Sequence, residues 1–178
     1  MPTATATDPR YPIGKIELPA KLDAAARAAA IGKIAGVPNS LYDAVRGLDA
    51  QQLDTPYRAG GWTVRQVVHH IADSHLNAYV RHKLTLTEKT PPIKAYDENA
   101  WAQLSDANGP IGPSLLLVQA LHERWAHCLR SVPAKTFART CVHSERGAMT
   151  LDDLVALYAW HGAHHVAHIT TLRSTKGW

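Results

Sequence analysis

The histidines of this chain are unusual in both number and spacing. Eleven occur among 178 residues, against one phenylalanine and two methionines. The segment WHGAHHVAH contains two pairs separated by four residues, His161 with His165 and His164 with His168. Residues four apart on a helix share one face, so either pair can present two imidazoles to a single ion. The segment therefore predicts a metal site on one helix face.

A third imidazole is available on an earlier helix, in the segment VRQVVHHIADSH. Apolar residues at spacings of three and four predict which histidines point into the protein interior. On the earlier helix this inward stripe includes the second histidine of the HH pair. On the last helix the inward stripe includes His161 and His165. The pattern favours His70, His161 and His165 as ligands, whereas His69, His164 and His168 border the stripe.

Three neutral imidazoles would occupy three corners of a tetrahedral site and leave the fourth open, as in catalytic rather than structural metal sites. We therefore expect one divalent ion per chain, either zinc or nickel. The chain has no His-Glu-x-x-His motif, which excludes a thermolysin-type site. The two histidine-bearing helices also lack the Glu-x-x-His pairs of di-iron bundles. No Gly-x-Ser-x-Gly or phosphate-binding glycine loop occurs.

Other residue types suggest supporting roles. Asp73 follows the favoured histidine of the earlier helix by three residues, and it could orient an imidazole or act as a base. Arg65, Arg81 and Arg124 are candidates for binding an anionic substrate. Trp101 is a candidate substrate platform because it lies in a long connection. The alternative for the charged residues is an ordinary position on a solvated helix face.

Helical periodicity and capping signals predict the elements that position these residues. Thr63 with Gln66, and Thr150 with Asp153, each resemble a helix-starting capping box. Three long helices are predicted over 63–87, 113–131 and 150–173. An earlier helical stretch should begin near Ala20, break at Gly36-Val37-Pro38 and resume to Leu48.

These elements predict an all-α four-helix bundle of the up-and-down type, with long crossover connections. Residues 1–18 should form an irregular N-terminal arm, and 19–178 a single metal-binding domain. The connection 88–112 should contain a short helix near 98–104. Residues 133–149 should contain a short hairpin, with strand alternation confined to 139–149.

The composition excludes several classes of protein. Apolar residues make up 46% and charged residues 19% of the chain, as in ordinary globular domains. The net charge is +4, but the basic residues are scattered, so we expect no nucleic-acid partner. The chain lacks a signal-like apolar segment or a stretch long enough to cross a membrane. With only two cysteines it is expected to be cytoplasmic, without a membrane partner.

Three segments resemble a known family: DTPYRAGGWTVRQVVHHIADSHLNAYVRHKL, PPIKAYDENAWAQL and LYAWHGAHHVAHIT. They are similar to the YfiT-type branch of the DinB/YfiT superfamily, over about Tyr11 to Trp178. The resemblance implies a four-helix bundle, a homodimer, and a three-histidine site often found with nickel or zinc. It places the ligands at His70, the second residue of HH, and at His161 and His165 of WHGAHH.

The branch is described as metal-dependent hydrolases, and related members act as bacillithiol S-transferases, so the resemblance allows two reactions. We favour activation of a low-molecular-weight thiol for S-transfer. Hydrolysis by a metal-bound water is the first alternative. A non-catalytic, metal-stabilised binding module is the second. In either enzymatic case the expected partner is a small-molecule substrate, which for S-transfer includes a low-molecular-weight thiol.

Overall fold

The computed structural model of the chain describes residues 8–19 and 21–178. The described part of the N-terminal arm contains turns but no helix or strand; residues 1–7 of the predicted arm lie outside the described residues. The helices are α1 (Ala24–Val45), α2 (Ala50–Leu53), α3 (Val64–Thr87), α4 (Glu98–Trp101), α5 (Gly112–Arg130) and α6 (Leu151–Lys176). The strands are β1 (Pro92–Ile93), β2 (Thr140–His143) and β3 (Gly147–Thr150).

The two helices that carry the candidate ligands, α3 and α6, begin where the capping signals predict. The Thr63 side chain accepts a bond from the backbone N–H of Gln66 at 3.1 Å, and the Gln66 side chain accepts one from the Thr63 N–H at 3.0 Å. Thr150 and Asp153 make the same reciprocal pair at the start of α6. Each box satisfies backbone donors that helix geometry leaves free, so local sequence is sufficient to start both helices.

The four long helices form a bundle, as predicted, but not in simple up-and-down order. Helix α1 packs mainly against α5 and α6, and α3 packs mainly against the same two helices. The first and second long helices therefore occupy opposite corners, whereas an up-and-down bundle would place them side by side. Long connections make this possible because they carry the chain across the ends of the bundle. None of the described helices is both long and apolar enough to span a membrane.

The predicted break in the first helix is wrong. Helix α1 runs continuously from Ala24 to Val45 with Pro38 in its interior. A proline there has no N–H for the carbonyl four residues earlier, which normally disfavours the helix. Here the carbonyl of Ile34 instead accepts a bond from Nδ1 of His122 on α5, at 2.6 Å. A donor from another helix thus replaces the missing helical bond.

A three-stranded sheet in the order β1-β2-β3 lies beside the bundle rather than at its centre. The hairpin of β2 and β3 confirms the predicted one, but β1 was not predicted. Strand β1 pairs in parallel with β2, joining Pro92 to Val142 and Ile93 to His143. This pairing holds the start of the long connection 88–112 against the hairpin. It thereby places the following short helix α4 close to the bundle.

The buried apolar residues form two clusters, and most of the inward histidines lie between them. One cluster surrounds Trp125, Leu129 and Leu154. The other surrounds Leu41 and Ile71. His75 on α3, His122 on α5, and His161, His164 and His165 on α6 fall in sequence between residues of the two clusters, so these imidazoles form a layer across the bundle. Such a layer is costly to bury unless its nitrogens find partners or a ligand.

Gly162 lies at a close approach of α6 to α1 and α3. A methyl group on its Cα would come within 2.5 Å of Val37 Cγ2 and 3.2 Å of His75 Cε1. We expect Gly162→Ala to lower the free energy of unfolding by about 1–3 kcal/mol through overpacking. Gly32→Ala, also in a long helix but with no neighbour within 4 Å, should instead raise it by about 0.5–1 kcal/mol. Urea denaturation of both variants tests this, and equal effects would contradict the close approach.

Candidate metal centre

Three histidines from two helices meet at one end of the imidazole layer. His70 comes from α3, and His161 and His165 lie one turn apart on α6. One ring nitrogen from each lies within 4.8 Å of the other two. Nε2 of His70 is 3.4 Å from Nε2 of His161. The structure thus brings together the three residues that periodicity favours as ligands.

The geometry of this group fits a metal ion. Nitrogens bound at about 2.0–2.1 Å with tetrahedral angles lie roughly 3.4 Å from each other. The His70–His161 nitrogen separation equals that value, although it is long for a hydrogen bond. Nδ1 of His165 is buried and has no hydrogen-bond partner among the described residues. Three imidazoles in this arrangement are a suitable donor set for zinc or nickel.

Burial keeps these imidazoles neutral and therefore able to donate lone pairs. It lowers the pKa of His70 to about 4, with smaller contributions from His168 and His164. Burial also lowers the pKa values of His161 and His165 well below the ordinary value, and neighbouring imidazoles lower them further. At neutral pH protons therefore compete only weakly with a metal ion for these nitrogens.

A cleft of about 380 Å³ opens onto His161 and His165. Its walls carry three guanidinium groups, from Arg10, Arg58 and Arg146. Arg10 is already paired with Asp8 at 2.8 Å, whereas Arg146 makes no side-chain hydrogen bond within the described part of the chain. Glu98 and Asn99 also line the cleft, as do four aromatic rings: Tyr11, Tyr57, Trp62 and Trp160. The cleft can therefore accept a small anionic molecule with some apolar surface.

A smaller cavity of about 120 Å³ adjoins the same site. It shares His161, Glu98 and Arg146 with the larger cleft. Desolvation by surrounding protein raises the pKa of Glu98, as do the carboxylates of Glu145 and Asp97, while Arg146 lowers it. Glu98 is thus a carboxylate at the junction of two clefts with an increased tendency to hold a proton.

The structure places two of the tentative substrate-binding residues near this region, Arg81 and Trp101. Arg81 lines the smaller cavity, but it donates to the Tyr158 hydroxyl at 2.6 Å and to the Lys94 carbonyl at 3.0 Å. Trp101 packs on Tyr96 with ring centroids 4.4 Å apart and lines neither cleft. Glu98 of the same helix lines both clefts, and Asn99 lines the larger one. The long connection therefore reaches the site, but through different side chains.

The remaining tentative residues contribute to neither cleft. Asp73 lines neither cleft, and burial with the nearby Asp106 raises its pKa. Arg65 is held by Asp54 at 2.7 Å and by the Gly109 carbonyl at 3.0 Å. Arg124 is exposed on α5 and also lines neither cleft. Helical spacing predicted their faces only approximately, and the tertiary neighbours of those faces were unknown.

The other histidines of the two motifs have distinct surroundings. His69 turns away, with Nδ1 2.8 Å from Ser114 Oγ and Nε2 3.2 Å from the Gly109 carbonyl. His164 and His168 line the larger cleft, where they stack on Trp160 and Tyr57 with centroids 4.2 and 4.1 Å apart. They border the ligand group without belonging to it.

Several cleft residues were missed by the sequence analysis. Arg58 and Trp62 belong to the loop TPYRAGGW that enters α3, and the charged and aromatic residues in this short loop were an available signal. Arg146 lies in the hairpin turn and Glu98 at the start of α4. Neither residue is on a histidine-bearing helix, so helical periodicity could not predict that it lies near the histidines. Only the packing of these segments brings them to the site.

A four-helix bundle that gathers three imidazoles beside a cleft defines a class of helical proteins suited to binding one metal ion. The family model described as the DinB superfamily matches residues 34–169. The chain belongs to this superfamily, and the predicted resemblance is confirmed.

Similar proteins from three Bacillus species extend this result. Proteins of Bacillus cereus (strain 03BB102) and Bacillus thuringiensis subsp. konkukian (strain 97-27) are each 48% identical over 171 residues, covering 96% of this chain and 99% of theirs. Both bear the name "Putative metal-dependent hydrolase". The solved structure of YfiT from Bacillus subtilis is 45% identical, with a TM-score of 0.93 over 96% of this chain and 98% of that one. YfiT is described as a probable metal-dependent hydrolase with an unusual four-helix bundle topology.

Proposed function

We propose that this chain is a metal-dependent enzyme that joins a low-molecular-weight thiol, of the bacillithiol type, through its sulfur to an electrophilic small molecule. The observation that carries the proposal is the meeting of two clefts at His161. A group transfer needs space for two organic reactants beside one activating centre, whereas hydrolysis needs space for only one. The larger cleft suits the anionic thiol, and the smaller cavity suits the reactive end of the electrophile.

We propose His70, His161 and His165 as the ligands of one zinc or nickel ion, which when bound lowers the pKa of a thiol or water at its open position. In S-transfer the thiol loses its proton, and its sulfur forms a bond to carbon as the leaving group departs with the electron pair of the broken bond. The protein must hold the two reactants in line and exclude competing water. Trp62 packs at a tilt against His70, with ring centroids 4.5 Å apart, and covers that side of the site.

The arginines of the larger cleft are proposed to bind the thiol's carboxylates. Arg146 is the better candidate, because the charge of Arg10 is already balanced by Asp8, and Arg58 already donates to the Tyr57 hydroxyl and the Ala59 carbonyl. Glu98 is placed to accept the proton that the thiol releases, since it lines both clefts. These residues replace Arg65 and Arg124 as the proposed substrate-binding set.

Hydrolysis is the second candidate function. It is favoured by the names of the relatives and by Glu98, a carboxylate near His161 that can serve a water as general base. A non-catalytic binding module is less well supported. Residues of the 88–112 connection line both clefts beside the histidines, which is typical of a site that admits a substrate.

The reaction is tested with zinc-loaded or nickel-loaded protein. Bacillithiol and a chromogenic electrophile are supplied in one assay, and ester, amide and phosphoester substrates without thiol in parallel. We expect thiol-dependent turnover that is lost in His161→Ala. Turnover of an ester or amide without thiol, lost in the same variant, would instead establish hydrolysis.

Arginine variants test the assignment of the thiol cleft. Arg146→Gln should raise the KM for the thiol about 10-fold to 100-fold, because a charge-assisted hydrogen bond contributes about 1.5–3 kcal/mol. Arg124→Gln is the matched comparison, since this exposed arginine lines neither cleft. A larger increase in the KM for the thiol in Arg124→Gln would instead support Arg124 as a substrate-binding residue, as the sequence predicted.

A further inference from the structure

A row of hydrogen-bonded imidazoles runs from the candidate metal site into the bundle. Nδ1 of His161 lies 3.0 Å from Nε2 of His75. Nδ1 of His75 lies 2.7 Å from Nε2 of His122. Nδ1 of His122 lies 2.6 Å from the carbonyl oxygen of Ile34. His75 and His122 are fully buried, so this row connects a candidate ligand to the backbone of α1 without contact with water.

The carbonyl at the end of the row determines the position of every proton in it. A carbonyl oxygen can only accept, so Nδ1 of His122 must carry a hydrogen. A neutral imidazole has one N–H, so Nε2 of His122 accepts from Nδ1 of His75. By the same reasoning Nε2 of His75 accepts from Nδ1 of His161. The lone pair of His161 is then on Nε2, the atom that faces His70.

His75 and His122 are both 0% exposed, and their ring nitrogens bond only to other imidazoles and to a carbonyl, so neither ring has an anionic partner that would stabilise a positive charge. Burial therefore favours the neutral form of both rings. It lowers the pKa of His122 to about 4, although the bond to Ile34 acts in the opposite direction. It also lowers the pKa of His75 well below the ordinary value, and His122 lowers it further. Each imidazole in the row therefore carries one ring proton at neutral pH, as the hydrogen-bond pattern requires.

The free carbonyl originates in the sequence of α1. The carbonyl of Ile34 would ordinarily accept from the N–H of residue 38, but residue 38 is a proline. Its oxygen is therefore left for a donor from outside the helix, and His122 is that donor. The proline inside α1 thus affects the ring of His161 on α6, through His122 on α5 and His75 on α3.

We infer that His75 and His122 are positioning residues that hold His161 in the Nδ1–H tautomer and direct its Nε2 lone pair to the metal. The inference rests on the metal site of the proposed function. Partners of this kind on the far nitrogen of a ligand imidazole fix its tautomer and orientation, and their loss typically weakens metal binding about 10-fold to 100-fold.

The first test uses the unmodified, metal-free protein. Nitrogen-15 NMR of the histidine side chains near neutral pH reports which ring nitrogen of each carries the proton. We expect protonated Nδ1 on His161, His75 and His122. Protonated Nε2 on His161 or His75 would overturn the inference. This measurement needs no bound metal, so its failure is distinguishable from failure of the metal site itself.

The second test compares three variants by zinc affinity, measured in competition with a chromophoric chelator. His75→Leu should bind about 10-fold to 100-fold more weakly and should lose the single tautomer of His161. His75→Gln should stay within about threefold of the unmodified protein, because its amide oxygen can accept from His161. His82→Leu is the control: His82 is equally buried on α3, but its Nδ1 bonds to the Ala78 carbonyl at 2.7 Å.

Circular dichroism confirms that each variant is folded. Unchanged affinity and tautomer in His75→Leu would overturn the inference, and so would an equal loss in His82→Leu, since that would indicate a packing effect alone. If His75→Leu does not fold, His75→Gln and the tautomers of the unmodified protein decide the question.

Discussion

His161→Ala and His165→Ala are each expected to reduce metal content from one ion per chain to nearly none. Both imidazoles contribute a ring nitrogen to the three-histidine group on α3 and α6. Structural zinc sites with four ligands bind with about 10–16 kcal/mol, so one ligand contributes on the order of 3 kcal/mol, or roughly 100-fold or more in affinity. Alanine supplies no replacement ligand atom, so the site is left with two imidazole ligands.

Elemental analysis of the purified variants, with chelator competition for the residual affinity, measures this effect. His164→Ala is the matched control because His164 is the immediate neighbour of His165 and lines the same cleft, but lies outside the group. It should retain close to one ion per chain. Full stoichiometry in His165→Ala would reject the assignment, and loss in His164→Ala instead would move the site to the other helix face.

The metal-free protein is expected to unfold cooperatively as the pH falls from about 6.5 to about 4.5. Burial lowers the pKa values of His70, His82 and His122 from 6.5 to about 4 in the folded chain. Between these values the unfolded chain binds more protons than the folded chain, so stability is present above pH 6.5 and declines as the pH falls.

The size of this decline is large compared with the stability of a typical domain. Each such histidine contributes about 1.4 kcal/mol per pH unit within its window. Three of them remove roughly 6 kcal/mol between pH 6.5 and pH 4.5, when the whole free energy of unfolding is typically about 5–15 kcal/mol. His75, His161 and His165 have still lower pKa values and act in the same direction.

Circular dichroism during acid titration, with urea denaturation at several pH values, measures the dependence. His82→Leu should take up about one proton fewer on unfolding, because His82 is 1% exposed and lies outside the metal-ligand group. Zinc at 100 times its dissociation constant should add about 2.7 kcal/mol of stability and move the midpoint to lower pH. A free energy of unfolding that is constant from pH 7 to pH 5 would contradict the neutral, buried state of these histidines.

The sequence by itself determined the features that depend only on residues a few positions apart, such as where a helix starts and which of its faces is buried. The starts of α3 and α6 depend on capping residues three positions apart, which any reader of the sequence can identify. The selection of His70, His161 and His165 followed from helical spacing, because a helix that buries one face must bury the residues on that face. The homodimer implied by the family resemblance stays a prediction.

Tertiary structure decided the features that depend on distant parts of the chain. Pro38 predicted a break when judged by its neighbours, but the helix continues because His122, 84 positions later, binds the carbonyl that the proline leaves free. Strand β1 exists only through its pairing with β2. Four segments contribute to the cleft besides α6: the N-terminal arm, the loop that precedes α3, the short helix α4, and the hairpin. No sequence pattern in any of these segments indicates that it contacts the others. Helical periodicity can place a side chain on a face, but the neighbours of that face are set by how the helices pack and how the long connections cross between them.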